Sequence, residues 1–438
     1  MAAVVTSSRV RQPVQGRARA TVEAIVEATS QLIESGTSVS TDDVARRAGV
    51  SVGSLYQYFS TKDTLLAAVL RRELDEVHRA TLSLSPWRTD PPLLDLGEAL
   101  IGGLLASVRS RRRGLGRLLA RVASVWRGRG ARLALATQIA HHQLESRAAE
   151  VRVPSAHRDA AAFILPALVM CAVDASALAW PELLTEPVLR AEIIALLGYR
   201  LLAAEIVENH PTQRAPAAPP RLTTGAAYEG SDPDRGPSRR DAAARRDQLL
   251  DAALDLATDA PWRAVTPRAI ARRAGVSATS FYTFFDDKED ALRAAMVRDG
   301  HRIAAAVEHA LDASTAPDAA GIAQTAVTAL LCGHRARATA YGALLREGTN
   351  PGTTREEAQI FDRIEHGLDR LLSQDTSHGV PPERRRVAAF LLARVPVGVV
   401  HWALRERPEL LDAPQFEAEL SAVVSGYVVR AAATGRCW

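Results

Sequence analysis

Apolar residues recur every three to four positions along most of this chain. Val22, Ile25, Val26, Thr29, Leu32 and Ile33 make one stripe, and Leu249, Leu250, Ala253, Leu254 and Leu256 make a second much later. Each stripe predicts an amphipathic helix with one face against a core. A shorter stripe at Val44, Ala45 and Ala48 ends at Gly49, a residue suited to the left-handed turn of a helix C-terminus, and Ser51 opens another helix just beyond. Past residue 90 no strand-like alternation occurs. Helices are predicted over Leu93–Val108, Leu115–Trp126, Ala131–Ala149, Arg158–Trp180 and Val188–Val207, then Ala319–Leu331, Ala338–Arg346, Thr354–Leu372, Pro382–Arg407 and Phe416–Ala433. The pattern predicts an all-α fold.

The pattern also repeats. Ala45–Ser51 (Ala-Arg-Arg-Ala-Gly-Val-Ser) returns unchanged at Ala271–Ser277, 226 positions on. An aromatic run follows each copy: Leu55, Tyr56, Tyr58 and Phe59, then Phe281, Tyr282, Phe284 and Phe285. Pro181–Leu184 returns as Pro408–Leu411, Pro187 as Pro414 and Phe163 as Phe390, all at a shift of 227. So steady an offset means that a whole module was copied.

Two short helices joined around a glycine form a helix-turn-helix, whose second helix enters the DNA major groove. Ser40 or Thr41 caps the first helix of copy one; Thr266 caps that of copy two, with Pro267 in its first turn. Thr61 or Ser60, and Asp287 with Asp290, cap the helix after the motif. Base edges would be read by Ser51, Val52, Gly53, Ser54 and Gln57 in one copy, and by Ser277, Ala278, Thr279, Ser280 and Thr283 in the other. Gln57 can pair bidentately with adenine, while Thr279 and Thr283 suit a thymine methyl. These positions differ between copies, which predicts two unlike half-sites. The chain's two lysines, Lys62 and Lys288, take the same place in each repeat, at a helix start. A cation there is disfavoured unless a phosphate shares the site.

The span Val44–Phe59, with Lys62, Asp63 and Leu66, resembles the TetR family of bacterial transcriptional regulators. So does Ile270–Phe285 with Lys288, Glu289 and Leu292. The resemblance implies phosphate contacts from Thr41 (or Ser40) with Tyr56, and from Thr266 with Tyr282. A headpiece-core role for both tyrosines stays open. It further implies that the last two helices of each module pair into a four-helix bundle around which the fold dimerises, and that each core holds a small molecule. With both modules on one chain, the simplest arrangement is an intramolecular pseudo-dimer, with pairing between chains also open. The expected architecture is therefore two tandem TetR-like modules. Each has a three-helix headpiece and a helical ligand-binding and dimerisation domain.

Domain limits follow from composition. Residues 1–18 read as a flexible basic arm, 19–70 and 241–297 as the two headpieces, 71–208 and 298–436 as regulatory domains, and 209–240 as a Pro/Gly/Arg-rich linker. A linker of that length spans roughly 30 Å root-mean-square, comparable with the ~34–36 Å between half-sites one turn apart. Arg109–Arg132 carries nine arginines and no acid. It reads either as a solvated face or as a patch facing DNA or an anionic ligand.

Charge and chemistry narrow the function. Net charge is +4, compatible with a polyanionic partner. Three cysteines, Cys171, Cys332 and Cys437, lack metal-ligand spacing; the first two read as core residues, and a reducing cytoplasm fits. No phosphate loop, nucleophile-base set or metal cluster appears, so an enzyme, a cofactor and a metal are not expected, and no membrane-spanning run is seen. Effector contacts are assigned to Trp126, His141 and Asp174 in module one, and to Tyr341, Arg394, His401 and Trp402 in module two, polar or aromatic residues within apolar helices. Pro166 and Pro396 interrupt two of those helices. The expected function is a cytoplasmic repressor of double-stranded DNA, released by a small molecule from a pseudo-palindromic operator. An activator, a ligand-independent regulator, or a scaffold that lost DNA binding are the alternatives.

Overall fold

In the computed structural model, residues 16–35, 39–84, 86–109, 125–202, 237–312, 319–347, 355–374 and 380–429 are described, and every regular element among them is helical. The first half holds α1 (Gly16–Ser35), α2 (Thr41–Ala48), α3 (Val52–Tyr58), α4 (Lys62–Ser83), α5 (Leu93–Arg109), α6 (Val125–Ser146), α7 (Arg158–Ala179) and α8 (Pro187–Leu201). The second holds α9 (Pro237–Asp259), α10 (Pro267–Arg273), α11 (Ala278–Tyr282), α12 (Lys288–Asp312), α13 (Ala319–Arg335), α14 (Ala338–Glu347), α15 (Arg355–Gln374), α16 (Arg385–Glu406) and α17 (Pro414–Val429).

The duplication survives in three dimensions. The 3-10 turns Ser155–His157 and Pro181–Thr185, which flank α7, return as Pro382–Arg384 and Pro408–Asp412 around α16. Proline at the first position of α8 and α17 presets the helical φ where no amide partner is required. α7 and α16, with their preceding turns, are long and apolar enough to cross a membrane, yet 72% and 83% of their apolar windows are buried by protein. They are core helices.

Several expectations shift. α9 already begins at Pro237, inside the expected 209–240 linker, and α8 ends at Leu201, short of the expected Val207. The basic arm to residue 15, most of the linker, the predicted Leu115–Trp126 helix up to residue 124, most of the Arg109–Arg132 arginines, and Cys437 lie outside the described residues. Cys171 is buried, but Cys332 is exposed on α13 rather than in a core. Pro166 and Pro396 do sit inside α7 and α16.

Contacts divide the chain into two compact units that do not follow the repeat: residues up to Arg132 with Val173–Thr185, and Leu133–Ala172 with Glu186 onward. In the first, α1 packs on α2 and α4, and α4 on α5. Ile25, Leu55, Phe59, Leu65, Val69 and Leu70 are sealed between them; each buried large apolar side chain is worth about 1.5–3 kcal/mol. In the second unit, α12 packs on α13 and α15, α13 on α17, and α17 on α8.

The α8–α17 packing carries two buried carboxylates. Glu192 accepts from the Arg384 guanidinium at 3.3 Å and from the Tyr427 hydroxyl. Glu419 accepts from Arg200 at 2.8 and 2.6 Å, and its Oε1 lies 2.7 Å from His157 Nδ1. Glu192 and Glu419 are 227 positions apart, as are His157 and Arg384, and Arg200 and Tyr427. The two clusters are therefore equivalent contacts made twice, with the partners exchanged between the repeats. The ring of Phe163 on α7 lies 6.4 Å from that of Phe416 on α17. Sequence reasoning missed these residues. The signal was an acid at the same repeat position in two mostly apolar helices.

Candidate nucleic-acid interface

Each headpiece is built by local rules. In the first, Ser40 caps α2 by accepting from the Asp43 amide at 3.1 Å. Thr41, the alternative, is already the first helical residue. In the second, Thr266 caps α10 through the Ala269 amide, also at 3.1 Å. Both motif helices end alike: Val50 N–H donates to Ala45 O (2.9 Å) and Gly49 N–H to Arg46 O (3.3 Å), while Val276 and Gly275 reproduce these bonds to Ala271 and Arg272 at 3.0 and 3.2 Å. This pairing satisfies carbonyls that a helix end would leave open. Gly49 and Gly275 have φ of 69° and 70°. A Cβ would meet nothing within 4 Å at either, so glycine is required by backbone conformation and not by space.

The second helices then start on Ser51 and Ser277, whose hydroxyls accept from the Ser54 and Ser280 amides at 3.0 and 3.1 Å. Leu55 and Phe59, and Phe281 and Phe285, fasten them to the headpiece core alongside Val44 and Ile270. Val50 and Val276, just past the ends of the motif's first helices, are half-buried. The opposite face is open. Ser51, Gly53, Tyr56 and Gln57 are exposed with Val52 and Ser54 half-exposed, and Ser277, Ala278, Thr279, Tyr282 and Thr283 are exposed with Ser280 half-exposed. Tyr56 and Tyr282 leave 49% and 61% of their surface in water, which settles their placement outside the core. α11 is shorter than α3, so Thr283 follows its last turn as the C-cap residue, whereas Gln57 sits inside α3.

The two lysines are held differently. Lys62 opens α4 behind the Thr61 cap, half-exposed, with no hydrogen bond or ion pair to a described residue. Lys288 opens α12, but its ammonium donates to Trp262 O at 3.1 Å and lies 4.4 Å from the centre of the Trp262 ring, leaving 18% of the side chain exposed. The position equivalent to Trp262 in the first repeat is Gly36. Charge near the motif's first turn also differs. α2 begins with Asp42 and Asp43, whereas α10 has no acid there and carries exposed Arg268, with exposed Arg272 one turn on. Arg46 pairs with Asp43, Arg47 with Gln31 and Arg273 with Asp259. Arg268 was not among the predicted contacts.

A second feature lies in the second unit. Two adjoining cavities share Leu330, Ile364 and Val397 in their walls. The first reaches His334, Tyr341, Glu357 and His401; the second is walled by aliphatic side chains such as Val307, Ile322, Leu368 and Val424. Of the predicted effector contacts, Tyr341 and His401 line the first cavity. Arg394 does not: it pairs with Glu365 and Asp362 and lies over the Phe390 ring. Trp402 is buried beneath Arg405, and His141 is exposed on α6. Asp174 is buried, and the Trp126 side chain lies outside the described residues.

Polar groups tie the first cavity to the second headpiece. The Tyr341 hydroxyl donates to Asp299 at 2.9 Å, and burial with that carboxylate pushes the phenol pKa well up. Asp299 also pairs with Arg298, which reaches Asp251 (2.6 Å) and Asp247 (3.4 Å) on α9. Arg337 bonds Asp255 on the same helix at 2.8 Å. No group of three or more metal-ligating side chains occurs among the described residues.

Residues 24–69 and 249–295 match the family described as bacterial regulatory proteins, tetR family. Residues 318–427 match the tetracyclin repressor-like C-terminal domain. The HTH-type transcriptional repressor KstR of Mycobacterium tuberculosis (strain ATCC 25618 / H37Rv) is 27% identical over 190 residues, 43% of this chain and 82% of that protein. The crystal structure of a TetR-like transcriptional regulator from Rhodococcus sp. RHA1 is 24% identical with a TM-score of 0.27, covering 40% of this chain and 94% of the other.

Proposed function

Since the chain belongs to the TetR family of transcriptional regulators and carries two of its DNA-binding modules in tandem, we propose that it is a cytoplasmic repressor whose two headpieces grip one pseudo-palindromic operator. The observation that carries this reading is the doubled open face: a capped recognition helix, anchored by Leu55 or Phe281, that holds a large tyrosine ring in water at the same position twice. Exposing such a ring has a hydrophobic cost that a DNA backbone contact would offset. Thr41 (or its neighbour Ser40), Tyr56 and Lys62 contact phosphate on one side; Thr266, Tyr282 and Lys288 do so on the other. Ser51, Val52, Gly53, Ser54 and Gln57 face one half-site, and Ser277, Ala278, Thr279, Ser280 and Thr283 face an unlike one.

The reciprocal Glu192 and Glu419 clusters support an intramolecular pseudo-dimer. Release by an effector is supported by the polar chain from the Tyr341 wall of the cavity through Asp299 and Arg298 to α9, because a ligand that displaces Tyr341 acts on the first helix of the second headpiece. The test is selection of bound duplexes from a random library, followed by anisotropy titration at several salt concentrations. The expected site has two different half-sites, and Gln57→Thr alters preference in one of them. An equal change in both halves, or affinity independent of salt, refutes the reading.

A further inference from the structure

The cavities of the second unit also say what kind of molecule they take, and this step rests on the effector reading above. His334 Nδ1 lies 2.8 Å from the Leu330 carbonyl oxygen, which only accepts, so that nitrogen carries the proton and Nε2 is bare. His401 Nε2 stands 3.3 Å from His334 Nε2 and must therefore donate to it. His401 Nδ1 is left as an unprotonated acceptor. Burial keeps both imidazoles neutral: His334 is held below its ordinary range, and His401 is pushed down to about 3 by burial and then by His334.

The rest of the lining decides against charge. Glu357 is the one formally charged residue among the described lining of the first cavity, it is buried, and it already has an interaction of its own. No arginine or lysine is among the described residues that line either cavity, so an anionic head group meets no counter-charge from them. Beyond Leu330, Ile364 and Val397 the described lining of the second cavity is apolar. A polar end beside the histidine pair and an adjoining apolar compartment suit an amphiphilic ligand.

We infer that this site binds an uncharged, elongated amphiphile with a hydroxyl head that donates to the His334–His401 pair and an aliphatic or alicyclic body that fills the second cavity. The experiment uses the full chain loaded with Nile red, displaced by 1-decanol, decanoate or decylammonium at neutral pH. These share one tail and differ only in the head. Decanol is expected to displace the dye about tenfold more tightly than either ion, the size of one well-made buried hydrogen bond set against burial of a charge. His401→Phe removes the Nδ1 acceptor and should narrow decanol's advantage severalfold, the remainder being the cost of burying a charge, while His401→Gln, which keeps an acceptor, should retain the full preference. Leu330→Trp should weaken all three heads alike by blocking the slot. Equal or tighter binding of either ion, no displacement by decanol, or a head-group preference indifferent to His401→Phe overturns the assignment. DNA release is read separately by anisotropy. Decanol binding without release leaves this assignment standing and sinks only the effector-release reading; failure of decanol to displace Nile red sinks the assignment alone, whatever compound releases DNA.

Discussion

Replacing Arg200 by methionine keeps much of the apolar stem but strips Glu419 of both guanidinium bonds, at 2.8 and 2.6 Å. Glu419 is only 1% exposed, so water does not take their place, and His157 at 2.7 Å remains as its partner. Breaking a buried pair from one side costs about 3–5 kcal/mol, because the remaining charge stays desolvated. Arg200 itself is 11% exposed and regains some hydration in the unfolded chain, while His157 still faces the carboxylate, so the lower end, about 3 kcal/mol, is expected. Adding Glu419→Gln removes the orphaned charge, and the double variant should return to within about 1 kcal/mol of the parent. Urea unfolding followed by circular dichroism measures all three, with the slope checked for constancy. A single variant that loses under about 1 kcal/mol, or a double variant as unstable as the sum of the singles, would show that the cluster does not hold α8 to α17.

Other expectations follow from the same physics. Gly49→Ala and Gly275→Ala should each destabilise by about 1–2 kcal/mol, with operator sequence preference unchanged, since the strain lies in the left-handed backbone and the Cβ meets open space; a stabilised variant in thermal melts would contradict this. His401 binds no proton in the folded state until about pH 3, whereas the unfolded chain takes one up near pH 6.5. Stability should therefore be complete above pH 6.5 and fall as pH drops, by about 2 kcal/mol from this group between pH 6.5 and 5. His334, shifted the same way, adds to the slope. Denaturation midpoints of His401→Phe should fall less steeply with acid, and an unchanged slope would refute this. Trp262→Ala should cost the second headpiece about 1 kcal/mol of cation–π and packing energy and leave the first untouched, as read by hydrogen exchange of α12 against α4.

Much of this architecture is legible in the residues alone because its signals are local. The 226-residue repeat, the glycines that end α2 and α10, the serines that start α3 and α11 and the apolar stripe of α1 all act within one or two helical turns. Which of Ser40 and Thr41 caps α2 lay at the edge of that reach, since both carry the hydroxyl and only the backbone path distinguishes them. Packing between distant segments decided the rest. Tyr56 and Tyr282 face water because Leu55, Phe59, Phe281 and Phe285 fill the headpiece cores. Lys288 rests on Trp262 while Lys62 has no such partner, Cys332 faces outward, and His334 and His401 meet across 67 positions. Glu192 and Glu419 find their partners on the other repeat, more than 190 positions away. The periodicity of a helix states which face is apolar; which of its few polar groups are buried, and against what, depends on the helix laid over it.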